Sequence, residues 1–242
     1  MSQIEISARS VEKRFGPVAA LRGVDLDVEG GRAVAVLGPN GAGKSTLLRI
    51  LAGLARPTAG SVSIRRGGRA PDGRGRARAW VGFAGHATLL YPELTARENL
   101  VFHGRLQGVV DPNLRADQLL DEEGLTPVAG RRVRTFSRGM AQRLSIARAL
   151  VQDPPLLLLD EPFTGLDRRA GDRLSERLQR LRSEGRAILL VTHDLLRASE
   201  IADAALILLS GQILQRAEGS ALERVALEAT YAEALESEVS AG

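Results

Sequence analysis

The chain has 242 residues, 44% of them apolar, with 33 basic and 29 acidic side chains, a formal charge of +4 and no cysteine. The missing cysteine excludes disulfides, iron–sulfur clusters and thiolate zinc sites and suits a reducing cytoplasm, and so modest a charge argues against a dedicated nucleic-acid binder. No apolar run approaches the roughly 18–20 residues of a membrane span and Met1–Phe15 lacks a signal-peptide core, so the expectation is a soluble polypeptide, or one held at a membrane by partners.

Ile4–Val11 and Val24–Val28 alternate apolar with polar residues, which predicts half-exposed antiparallel strands. Ala33–Leu37 is a short continuous apolar run, a strand buried on both faces. Gly38–Gly43 breaks it, and Lys44–Leu54 then carries helical spacing through Leu47, Leu48, Ile50 and Leu51. Ser61–Ile64 and Trp80–Ala84 read as further strands. The low-complexity stretch between them, RRGGRAPDGRGRAR (65–78), is expected to be a solvated loop of a surface hairpin. Thr95-Ala96-Arg97-Glu98 matches a capping box and predicts a helix from Thr95 to about Gln107, with His103 facing solvent. Residues 87–150 are predicted helical throughout, and Asp153-Pro154-Pro155 ends the last of these helices. Apolar strands at 156–159, 187–191 and 204–209 then alternate with helices near 168–183 and 194–202, the pattern of a parallel sheet covered on both faces. Ser210-Gly211 joins the last strand to Gln212–Arg216 as a hairpin. From about Ser220, Leu222, Val225, Ala229 and Leu235 stand at loose helical spacing and predict a packing helix. The fold class is α/β: a core of 1–86 and 151–242 with an N-terminal antiparallel β subdomain, and an inserted helical subdomain at 87–150.

GPNGAGKST (38–46) fits the phosphate-binding pattern G-x-x-x-x-G-K-[ST] through Gly38, Gly43, Lys44 and Ser45. Glycines let several backbone N–H groups point at one phosphate, and the following helix adds its N-terminal dipole. Lys44 is suited to bridge the β- and γ-phosphates and Ser45 to ligate Mg²⁺, with Pro39, Asn40, Gly41, Ala42 and Thr46 completing the cradle. Lys13 and Lys44 are the only lysines among the 33 basic residues, so a lysine at this position is singled out. LLLLDEPFTGLD (156–167) ends an oily strand in two carboxylates. Burying them unpaired costs several kcal/mol, so either a positive partner meets them or they cap a helix or face water. Bound Mg²⁺ and its phosphates supply that partner: Asp160 as second protein anchor of the metal, Glu161 to orient or deprotonate the water attacking the γ-phosphate.

Together with three further segments, these motifs resemble the ATP-binding subunits of ABC transporters over nearly the whole chain. Phe15, in VEKRFG, stands where that family stacks an aromatic ring on adenine. TFSRGMAQRLSIARAL (135–150) resembles the family's signature segment, and FTGLD, ending at Asp167, its D-loop. VTHD places His193 where the family's histidine contacts the γ-phosphate. The resemblance implies a P-loop NTPase core of the ABC ATPase type, using ATP and Mg²⁺. It implies two such chains, most simply identical, meeting head to tail, so that Ser137, Gly139 and Asp167 serve the partner's nucleotide. It also implies ATP hydrolysis that drives transport through separate membrane-spanning subunits. These would dock on the helical subdomain around the segment after His86, with the chain peripheral on the cytoplasmic face of the membrane. As a plain sequence feature, Asp167 could equally cap the helix beginning near Arg168.

Two departures from the family pattern stand out. The signature normally reads Leu-Ser-Gly-Gly-Gln, and here it is Phe136-Ser137-Arg138-Gly139-Met140. Ser137 and Gly139 still offer a hydroxyl and an N–H at a helix N-terminus; Arg138 adds a guanidinium that either helps or blocks a γ-phosphate contact. In GFAGHATLLYPELTARENL (82–100), His86 occupies the place of the family's usual glutamine, which links Mg²⁺ and attacking water to the helical subdomain. A neutral imidazole can accept from that water. The Gly-His pair and the Ser-Arg-Gly-Met signature are similar to the ATPase of the haem exporter in cytochrome c maturation. Two alternatives stand beside this reading. A soluble P-loop small-molecule kinase has no use for the signature or FTGLD. An ABC-type ATPase acting on nucleic acid draws on the six arginines among 65–78 but commonly carries two nucleotide-binding halves.

Overall fold

The computed structural model describes residues 3–71 and 79–241; the second half of the arginine-rich stretch, 72–78, lies outside the described residues. In chain order the strands are β1 (Ile4–Phe15), β2 (Val18–Glu29), β3 (Ala33–Leu37), β4 (Ala59–Arg66), β5 (Val81–Ala84), β6 (Leu156–Asp160), β7 (Ala187–Val191), β8 (Ala204–Leu209) and β9 (Gln212–Glu218). The helices are α1 (Lys44–Leu51), α2 (Ala96–Leu106), α3 (Pro112–Glu122), α4 (Arg138–Ala149), α5 (Arg168–Ser183), α6 (Leu195–Ile201) and α7 (Arg224–Ala241).

A six-stranded sheet runs in the order β5-β6-β7-β3-β8-β9, parallel except for the antiparallel hairpin partner β9. β3, β6, β7 and β8 are buried at every position, as a sheet covered on both faces requires. The four leucines of β6 divide by the two-residue period of a strand. Leu156 and Leu158 enter the core beneath α1 and the second sheet, while Leu157 and Leu159 enter the core beneath α2, α4 and α5. Each buried leucine stabilises the fold by roughly 1.5–3 kcal/mol, which is why both faces are apolar here.

The second sheet, β2-β1-β4, is antiparallel and packs Ile4, Ile6, Val24 and Leu26 into the core shared with Val34, Val36, Leu47 and Leu48. β1 and β2 extend beyond the runs of clean alternation. A register shift between Ala8 and Val11 breaks the period, with Ser10 at φ 47° and its N–H bonded to Asp25 Oδ1 at 2.8 Å.

Between residues 87 and 150 the regular elements are the helices α2, α3 and α4 and two short 3-10 turns, with one isolated bridge, Thr95–Arg132. Loops over 87–95, 107–111 and much of 123–137 join them, where helix was expected throughout. Thr95 forms the capping box of α2 with Glu98, Asp111 caps α3 ahead of Pro112, and Ser137 caps α4. The apolar faces of these helices merge with Leu157, Leu159, Ile188 and Leu190 of the sheet into one continuous core.

His103 corrects the sequence reading. It is buried, with the rings of Tyr91 and Phe102 5.9 and 5.6 Å from its own. The segment after β5 folds back over this face of α2 and covers what a helical wheel leaves open. Burial, aided by nearby Arg148, holds the imidazole below its ordinary pKa and so neutral. The C-terminal helix is present but turned from its expected phase: Leu227 and Ala234 are buried, whereas Val225 is exposed.

Candidate active site

The strand order decides the site. Val191 of β7 pairs with Val36 of β3 on one side and Asp160 of β6 on the other. The loop after β3, the Asp160-Glu161 pair and the Thr192-His193 step therefore leave the sheet at one carboxyl edge, where open α/β sheets bind ligands. They enclose a cavity of about 370 Å³ lined by Asn40, Gly41, Gly43, Lys44, Ser45, Thr46, His86, Asp160, Glu161 and His193, together with Ala20 and Thr164.

The loop is held by close backbone approaches. At Gly38 (φ 152°) a Cβ would stand 2.1 Å from the Leu208 carbonyl oxygen, and at Gly43 (φ 105°) 2.4 Å from that of Ala20. No side chain fits at either position. Gly43 is also the N-cap of α1, and no side chain caps that helix, so the N–H groups of its first turn face the cavity mouth without a competing acceptor. Lys44 is 7% exposed, and its Nζ donates to the carbonyls of Gly38 at 2.7 Å and Pro39 at 2.8 Å. Burial lowers its pKa, against the opposing pull of Glu161 and Asp160.

The two carboxylates have different surroundings. Asp160 is 5% exposed; burial raises its pKa, and a hydrogen bond from the Ser45 side chain opposes that. Glu161 turns out of the strand at φ 51°, with its N–H bonded to the Val191 carbonyl at 2.8 Å. Its carboxylate meets His193 Nδ1 at 2.9 Å, on a histidine side chain that is 73% exposed. Among the described residues no group of three or more His, Cys, Asp or Glu could hold a metal alone. Ser45 and Asp160 instead offer a small oxygen-only set, the kind that binds Mg²⁺ together with substrate phosphates.

The remaining residues singled out from sequence lie outside the cavity. Phe15 is 56% exposed at the end of β1, with the Lys13 ammonium 5.1 Å from its ring centroid. Ser137 accepts from the Met140 N–H at 3.3 Å, and Asp167 caps α5 by accepting from the Ala170 N–H at 2.8 Å. Gly139 packs on the D-loop segment, where a Cβ would meet the Gly165 carbonyl oxygen at 2.7 Å, and the Arg138 stem lies over Gly165. Thr164 and Ala20 were not foreseen as lining residues. Thr164 sits inside the FTGLD motif, which offered a signal; Ala20, a small residue on β2, offered none.

A family model described as ABC transporter matches residues 21–164. The chain belongs to the ABC transporter family. It is 40% identical over 214 residues to the Nod factor export ATP-binding protein I of Burkholderia orbicola, covering 88% of this chain and 70% of that one. It is 38% identical over 225 residues to a daunorubicin resistance ATP-binding protein of Streptomyces coeruleorubidus, covering 92% and 70%. The solved structure of an ATP-binding subunit of an ABC transporter superposes with TM-score 0.84 at 31% identity, covering 94% of this chain and 98% of that one. A dimeric, post-hydrolysis ATP-binding cassette bound to ADP and Pi gives TM-score 0.80 at 30% identity, covering 88% and 98%. As an ABC ATPase the chain binds and hydrolyses ATP, which sets the small-molecule kinase aside. The resemblance to the haem exporter finds no support in these relatives, whose names concern Nod factor and daunorubicin.

Proposed function

We propose that this ABC ATPase is the motor of an exporter, driving transport through separate membrane-spanning subunits, and that the cavity at the sheet edge is its catalytic site. The observation that carries the reading is the divided carboxylate pair: Asp160 hydrogen-bonded with Ser45 of the phosphate loop, and Glu161 held by His193 at 2.9 Å. Residues 38–46 cradle the phosphates, with Lys44 exchanging its two loop carbonyls for phosphate oxygens. Ser45 and Asp160 would hold Mg²⁺, which would supply positive charge against the phosphates. Glu161 takes the proton of the attacking water, and His193 keeps that carboxylate aimed while reaching the γ-phosphate. His86 accepts from the same water. Phe15, backed by Lys13, is the platform for adenine.

Two chains meet head to tail in this reading, presenting Ser137, Gly139 and Asp167 to the partner's nucleotide; their place outside the cavity of a single chain suits that role. Residues 1–86 and 151–242 form the nucleotide-binding core and 87–150 the helical subdomain. Membrane subunits dock where Leu54 and Leu89 stand exposed beside Gln107. Among the described residues no helix is long and apolar enough to cross a membrane, which is in keeping with a peripheral place on its cytoplasmic face. The relatives' names favour an organic small molecule as cargo, whereas haem rests on Gly85-His86 and the Phe136–Met140 signature alone.

Glu161→Gln tests the base. It keeps ATP affinity, lowers turnover by roughly 10²–10⁴-fold, and accumulates an ATP-bound dimer on size-exclusion chromatography. Normal phosphate release from that variant removes Glu161 from the role.

A further inference from the structure

Side chains of α2 and α4 hold the backbone of the end of β5 and of the segment that follows it, up to α2, at several points. Arg148 Nη2 donates to the Phe83 carbonyl at 2.8 Å, and its Nε to the Thr88 carbonyl at 3.2 Å. Ser145 Oγ donates to the same Thr88 carbonyl at 3.1 Å. His103 bonds to the Leu89 backbone, and Asn99 takes both the N–H of Tyr91 at 2.8 Å and its carbonyl at 3.0 Å. The two carbonyls engaged by Arg148 lie on either side of His86, whose side chain is exposed and lines the nucleotide cavity. The position of that imidazole is thus set by where its backbone is held. Arg148 is itself buried. Burial lowers its pKa to about 10, so the guanidinium remains charged at neutral pH. A charge taken out of water costs several kcal/mol unless its donors are used, and here they are used on this one segment.

We propose that Arg148 is the positioning residue that fixes His86 in the nucleotide site, so that any displacement of α4 carries the imidazole with it. The inference rests on the catalytic reading given above and extends it. α4 begins at the Ser137 cap and bears Arg148 near its other end. At 1.5 Å rise per residue the two are about 16 Å apart on one rigid rod. The end of the helix assigned to the partner's nucleotide is thereby joined mechanically to the histidine in this chain's own site. The same arginine also lines a groove of about 150 Å³ with Leu54, Phe83, Leu89 and Gln107, so a subunit pressing there bears on the same linkage. Lysine cannot replace it, because a single ammonium does not span carbonyls five residues apart as the planar fork does.

The test uses the full chain and four variants: Arg148→Lys, His86→Ala, the double variant, and Ser145→Ala. Steady-state kcat and KM for Mg-ATP, amide exchange over 84–90 and thermal melting are measured for each. Arg148→Lys should lower kcat by roughly ten- to a hundredfold, the scale of a misplaced catalytic group. Its KM should stay within about twofold, and the amides of 84–90 should exchange faster. His86→Ala should lower kcat similarly and the double variant no further than the worse single one, the signature of two residues acting as one. Ser145→Ala should shift both readouts in the same direction but less. Multiplying losses in the double variant, or a kcat loss that matches only a reduced folded fraction, would overturn the proposal. A silent His86→Ala beside an inactive Glu161→Gln overturns it, and with it the role of His86, while leaving Glu161 as the base. No phosphate release by the unmodified chain removes both.

Discussion

At Asp160 the requirements of stability and of chemistry are opposed. Its carboxylate is 5% exposed, and burial raises its pKa, with only the hydrogen bond to Ser45 and weaker charge interactions opposing. Well below the ordinary carboxylate range, folded and unfolded chains both carry the proton and the group is neutral in effect. As pH rises through that range the unfolded chain releases its proton first, so folding stability falls until the native group ionises too. Asparagine keeps the shape without the charge. Asp160→Asn, melted free of nucleotide and metal at pH 7.5, should therefore gain roughly 1 kcal/mol, about 2–4 °C in Tm. The gain should shrink towards pH 4, and Mg-dependent turnover should be lost at any pH. A lower Tm at pH 7.5 would mean that the ionised carboxylate is better compensated than its burial indicates. Glu161, next in the chain, carries a second local cost: its φ of 51° is unfavourable for any residue with a Cβ, by about 1–2 kcal/mol. That turn moves its carboxylate off the strand axis and towards His193.

Elements were legible in the sequence wherever one period governed them. β3, β6, β7 and β8 showed as continuous apolar runs because both faces are covered, and α2 through its capping box. The end of β1 and the first half of β2, which pair with each other, did not, because register shifts after Ala8 break the alternation of inward and outward positions. The burial of His103 was hidden because a loop, not a regular element, covers it. Also invisible was the joint between α3 and α5, where Arg177 binds both Glu122 and Glu123 although some 54 residues separate them in the chain. Glu123 is 8% exposed; burial pushes its pKa up, while Arg177 and Arg143 draw it down. Removing the arginine strands a buried carboxylate, so Arg177→Met should cost about 3–5 kcal/mol in urea unfolding at pH 7.5. Replacing the pair, Arg177→Met with Glu123→Leu, should recover most of that. A double variant no more stable than the single one would place the cost in lost packing rather than in the orphaned charge.

For the whole molecule, the motifs named the cavity's residues but not what brings them together. Gly38–Thr46, Asp160-Glu161 and His193 are far apart in sequence. They become neighbours only through the order β6-β7-β3, in which a third strand separates the phosphate loop's strand from that of the carboxylates. Ser137, Gly139 and Asp167 do not line the cavity, which is where the proposed head-to-tail pairing of two chains would leave them. The cavity walls come from β2, the loops after β3 and β5, and the ends of β6 and β7, elements that share buried cores on both faces of the sheet. Nothing short of disrupting that sheet separates the walls, so ligand binding should oppose global unfolding. Mg-ATP at a hundredfold excess over its Kd should then stabilise the chain by about 2.7 kcal/mol. For a domain of this size that is roughly 5–10 °C in Tm. ATP with chelator should give a smaller shift, because the Ser45–Asp160 oxygen set then has no ion to hold. Lys44→Ala should give almost none, with its circular dichroism unchanged. An unmodified, well-folded chain whose Tm is indifferent to Mg-ATP would leave the buried Asp160 carboxylate and the two glycine approaches of the loop without a ligand to account for them.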